Sequence, residues 1–143
     1  MSGSASQPDA EHQRPPGLDD AALQALGKLS EALEAVEEAR GVLYAFHRLT
    51  GTADRAVSEA VELLRASGHD ALAERIDTEL VGRDVIPGRW TFQIVEGYDE
   101  TYYGVFKDLE KRARDELAAG RRHIFEAEMK AARRTFKAGH DGA

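Results

Sequence analysis

The chain predicts an all-α protein, an antiparallel helical bundle of two long and two short helices. Three observations carry this reading. Apolar residues recur at helical spacing over most of the chain, glycine-centred breaks separate the periodic stretches, and no segment alternates as a strand does. The pattern is longest at the C-terminal end. There Val95, Tyr98, Tyr102, Phe106, Leu109, Ala113, Leu117, Gly120, Ile124, Ala127 and Ala131 follow one another at steps of three and four, a mean of 3.6.

Taken in order, residues 1–17 are rich in Ser, Pro and Gly and poor in large apolar side chains, so they are expected to form a disordered tail. A single helical-bundle domain is expected over residues 18–137, with a frayed end at 138–143. The first helix starts near Leu18, with Asp19 or Asp20 able to cap it. It carries Ala22, Leu26, Leu29, Leu33, Val36, Ala39, Leu43 and Phe46 on one stripe. Thr50-Gly51 is expected to end it after about 32 residues, or about 48 Å. Thr52 then caps a short helix with Ala53, Val57, Ala60, Val61 and Leu64 on its buried side, ended by Ser67-Gly68. A third begins near Asp70 and runs through Leu72, Ile76 and Leu80 to Gly82. The Pro-Gly of Gly82–Trp90 marks a turn, and Thr91 is placed to cap the last helix.

Phe92–Lys137 as one continuous helix would be about 69 Å long at about 1.5 Å per residue. That outruns the first helix by about 20 Å, leaving the stretch from Ile124 onward without an intrachain partner. Ile124, Phe125, Met129 and Phe136 on that overhang predict an interface and hence a homodimer or larger assembly of coiled-coil type. The competing expectation is a break at Gly120 that folds the end back, because glycine inside a helix costs about 1 kcal/mol relative to alanine.

Charge supports helix pairing. The net charge is −7, yet residues 1–106 carry −10 and residues 107–137 carry +4. An antiparallel fold sets Glu31, Glu34, Glu37 and Glu38 beside Lys111, Arg112 and Arg114. The acidic total weighs against nucleic acid as a partner, although Arg121, Arg122, Lys130, Arg133, Arg134 and Lys137 could contact phosphates of an accessory site. No apolar run is long enough to span a membrane and no export signal precedes the first helix, so a cytoplasmic protein is expected. The chain has no cysteine, which excludes thiolate catalysis and Cys-ligated zinc.

No phosphate loop, nucleophile elbow or HExxH occurs, so catalytic residues, metal ligands and cofactors are not expected. Within the expected domain no acidic residue precedes a histidine by three, which removes the di-iron bundle motif. The densest polar cluster is Glu96, Asp99, Glu100 and Tyr103, with His47 able to approach from the first helix. Carboxylates, a phenol and an imidazole together could hold a small polar ligand or a hard metal ion. The functional expectation is a non-enzymatic interaction or scaffold protein that self-associates through its C-terminal helix. One alternative is a small-ligand or metal-binding helical protein with a polar site near His47, Asp99 and Tyr103; the other is an accessory nucleic-acid binder that uses the basic C-terminal helix.

Overall fold

The computed structural model describes residues 7–141, with side chains up to Arg134. The protein is all-α, and among the described residues no strand forms; Ile86 and Arg89 make one isolated bridge. A short 3-10 turn, Ala10–His12, precedes α1 (Asp20–Ala66) and α2 (Asp70–Glu79). Next comes α3 (Thr91–Tyr98), which passes through a π-helical turn, Asp99–Tyr103, into α4 (Gly104–Ala118). α5 (Ile124–Asp141) closes the chain. The chain divides into two compact units, one of Met1–Val36 with Gly104–Ala143 and the other of Glu37–Tyr103.

The first helix does not stop at Gly51. Asp19 Oδ1 accepts from the Ala22 amide at 2.8 Å and caps α1, which then runs 47 residues without interruption. Thr50 and Thr52 turn their hydroxyls back onto the carbonyls of Phe46 and Arg48, and Gly51 keeps a negative φ. The cost of an interior glycine, about 1 kcal/mol, is outweighed by keeping Val57 half-buried and Val61 fully buried on the same helix. The end falls at Gly68, which has a φ of +84°, with the His69 amide on the Leu64 carbonyl. Arg65 then ties the last turn of α1 to Asp77 and Glu74 of α2.

Nor is the C-terminal third a single rod. α4 ends at Ala118, Ala119 and Gly120 take φ of 52° and 76°, and His123 follows at 58° before α5 starts. The Gly120 amide donates to the Arg114 carbonyl at 2.9 Å, and Arg114 returns a bond to the Gly120 carbonyl. The break at Gly120 is therefore the arrangement adopted. Its physical reason is burial: Ile124 is only 3 % exposed and joins Leu18, Leu23, Leu26 and Ala118 in the core of the first unit. A continuous helix would leave that surface in water, and burying an isoleucine is worth about 1.5–3 kcal/mol.

In this unit the Phe125 ring packs on Gly27, where an added Cβ would sit 3.2 Å from the ring. Residues 7–17, assigned from the sequence to a tail, supply Arg14, which binds Glu128 (2.7 and 2.9 Å) and Asp20 (2.7 Å). Lys111 and Arg114 pair within α4, with Asp115 and with buried Glu110, rather than with the acids of α1.

Candidate functional site

Two features of the second unit carry chemistry. The first is a polar clasp at the π-helical turn. The wide turn Asp99–Tyr103 displaces the ladder of the helix, and such insertions often coincide with functional positions. Asp99 Oδ1 accepts from Arg40 Nε at 2.7 Å, and Oδ2 accepts from Arg40 Nη2 at 3.1 Å and from the Tyr44 hydroxyl at 3.2 Å. The Arg40 guanidinium also lies over the rings of Tyr44 and Tyr103, at 4.9 and 4.7 Å from their centroids. The Tyr103 hydroxyl donates to Glu37 at 2.7 Å. Bonding to Arg40 above all holds the Asp99 carboxyl below its ordinary range; desolvation opposes it in part, and the weaker bond from Tyr44 acts in the same sense as Arg40. The bond to Glu37 pushes the Tyr103 phenol up, and desolvation adds to it.

This clasp brings together two of the five polar residues singled out from the sequence, Asp99 and Tyr103, through a residue the sequence reading missed. Arg40 and Tyr44 stand one turn apart on α1, and that spacing was the available signal. His47 is placed elsewhere: its Nδ1 lies 2.6 Å from the Thr91 hydroxyl, eight residues and about 12 Å before Asp99 along the helix. Thr91 is thus the first residue of α3 rather than its cap, and Gln93 satisfies the Trp90 amide at 2.8 Å. Glu96 and Glu100 are exposed. With three donors on its two oxygens, the Asp99 carboxylate is committed to holding α1 against the π turn. Among the described residues no group of three or more His, Cys, Asp or Glu side chains is arranged to hold a metal.

The second feature is apolar. One face of α1 remains uncovered, with Val42, Leu49 and Leu63 at 64, 67 and 70 % exposure and Phe46 exposed as well. Ala39, Ala53, Ala56 and Ala60 are exposed on the same stripe. Their steps alternate three and four from Ala39 to Leu63, seven residues for every two steps. This is the heptad repeat of a helix that lies along another helix. The buried side of α1 in this unit, with Leu43, His47, Val57 and Val61, runs beside it as a separate stripe. An open cavity of about 520 Å³ adjoins the exposed stripe at Ala53, walled by Val57, Leu80, Val85 and Trp90. Its two carboxylates are already engaged, Asp54 with the Gly82 amide and Asp84 with the Gly88 amide, both at 3.0 Å.

Of the four residues expected to form an interface at the C-terminal end, the structure draws Ile124 into the core and Phe125 to its edge. Ile124 belongs to the core, and Phe125 is half-buried against Gly27, because the break after Ala118 returns this segment to its own unit. Met129 is exposed, and the side chain of Phe136 lies outside the described residues. Of the basic residues there, Arg121 donates to the Gln13 carbonyl at 2.7 Å, and Lys137 lies outside the described side chains. Among the described residues no helix is long and apolar enough to cross a membrane. No family model, no curated protein and no solved structure matches the chain.

Proposed function

We propose that the protein is a non-enzymatic helical interaction protein whose working surface is the exposed heptad stripe of α1. One observation carries this reading: Val42, Phe46, Leu49 and Leu63 stay in water on a helix whose neighbouring face is packed. A contiguous uncovered apolar surface of this kind marks a contact site, and its seven-residue repeat selects a helix as the occupant. The clasp of Arg40, Asp99, Tyr44 and Tyr103 supports the same role, since it fixes α1 on its covered side and leaves the stripe presented. Self-association through Ile124 and Phe125 is not carried forward, because those side chains serve the core and its edge. A cytoplasmic setting remains part of the proposal.

The test is a photo-crosslinking side chain at Leu49, compared with one at Thr78, which is exposed but lies off the stripe. In cells that make the protein, the Leu49 probe is expected to capture a polypeptide, a second copy or another protein, that the Thr78 probe does not. Equal or absent capture at the two positions would overturn the reading.

A further inference from the structure

We propose that the stripe of α1 docks onto the same stripe of a second copy of this chain, antiparallel, with the two-fold axis at the level of residue 51. This rests on the stripe being an interaction face, and it adds the partner and the register. The steps assign Ala39, Phe46, Ala53 and Ala60 to the first apolar position of the heptad and Val42, Leu49, Ala56 and Leu63 to the second. In an antiparallel pair each first-position residue faces a second-position residue of the partner, and registers differ by whole heptads.

One register uses all eight positions. It pairs Phe46 with Ala56, Val42 with Ala60, Leu63 with Ala39 and Leu49 with Ala53, each twice by symmetry. Every large side chain then faces an alanine, which is what close packing between two copies of one surface requires. A shift of one heptad either way sets Phe46 against Leu49 or Leu63 and alanine against alanine. Parallel pairing is worse, with Phe46 on its own copy and four alanine-on-alanine layers. Beside the seam, the chosen register sets Ala45 opposite Glu59, Glu38 opposite Ala66 and Thr52 opposite its own copy, so no two acidic side chains meet there. The overlap from Ala39 to Leu63 is about 37 Å long.

The chain has no cysteine, so single cysteines report the register directly. Full-length Val42→Cys and Ala60→Cys proteins are oxidised separately and as a mixture, with Ala39→Cys and Leu63→Cys as a second pair and Thr78→Cys as an off-stripe control. All four stripe positions are exposed, and circular dichroism checks that each variant is folded. The expected result is a disulfide-linked dimer from each mixture and none from any single variant. In this register residue 42 lies about 27 Å from its own copy, far beyond the reach of a disulfide. A dimer from Val42→Cys alone would overturn the antiparallel register. No dimer from either mixture, with a monomeric mass by light scattering at tens of micromolar, would overturn self-pairing. The interaction reading would fail separately, if the Leu49 photoprobe captured nothing or nothing more than the Thr78 probe.

Discussion

Replacing Gly120 with alanine distinguishes a folded-back end from a continuous rod by the sign of its effect. Gly120 holds a φ of +76°, and an added Cβ would lie 3.1 Å from an Asp115 carboxylate oxygen. The left-handed conformation costs an L-residue about 1–2 kcal/mol. Asp115 offers a side-chain end that can move, at the expense of its exposed 2.8 Å bond to Lys111. Gly120→Ala is therefore expected to lower stability by about 1–2 kcal/mol, a fall in Tm of roughly 3–8 °C for a chain of this size. Were residues 92–137 one helix, the same change would replace an interior glycine and raise stability by up to about 1 kcal/mol. Urea unfolding followed by circular dichroism measures the difference, with the slope on denaturant checked for constancy. A rise in the midpoint would refute the break and the burial argument built on it.

Other perturbations probe the remaining parts. Ile124→Ala is expected to cost about 2–5 kcal/mol in the same urea assay, because the side chain is a core residue; a loss below about 1 kcal/mol would contradict its placement. Gly51→Ala should stabilise by about 0.5–1 kcal/mol, since α1 is helical there and only Arg55 lies near the new methyl group; destabilisation would mean that α1 ends at Gly51. Asp99 has a folded pKa below its ordinary value of 3.8, so its contribution is complete above that pH and is lost as pH falls through the lower folded value. The stability gap between wild type and Asp99→Asn should accordingly close on acidification, and a gap independent of pH would refute the clasp. Tyr103, raised by Glu37, should ionise above the usual phenol range by ultraviolet titration, and Glu37→Gln should bring it down.

Much of the helical content was legible in the sequence because burial imposes a period. The stripe from Leu26 to Val36, the start of α2 at Asp70 and the start of α3 after Trp90 all follow from that period and from turn residues. The two errors of length share one cause, since each concerned a glycine whose effect tertiary packing decides. At Gly51 the half-buried Val57 and buried Val61 keep the helix going; at Gly120 the shelter available to Ile124 ends it. Local preference at either position is about 1 kcal/mol, less than one buried side chain contributes. The clasp was half visible. Asp99 and Tyr103 stood out by density, whereas their partners Arg40 and Tyr44 lie 59 and 55 residues from Asp99, and only the fold brings them there. The exposed heptad was hidden for a related reason. Period alone puts Ala39 and Phe46 on the packed stripe of the first helix and Ala53 and Ala60 on the buried side of the second, whereas in the structure all four remain in water.

The proposal that α1 presents a self-complementary surface is tested most directly by sedimentation equilibrium of the unmodified protein beside Leu49→Glu. Wild type is expected to sediment at twice the 15.7 kDa chain mass, and the variant at the single chain mass with its helical content unchanged. A wild-type mass of 15.7 kDa across the accessible concentrations, or a dimer that survives Leu49→Glu, would contradict it.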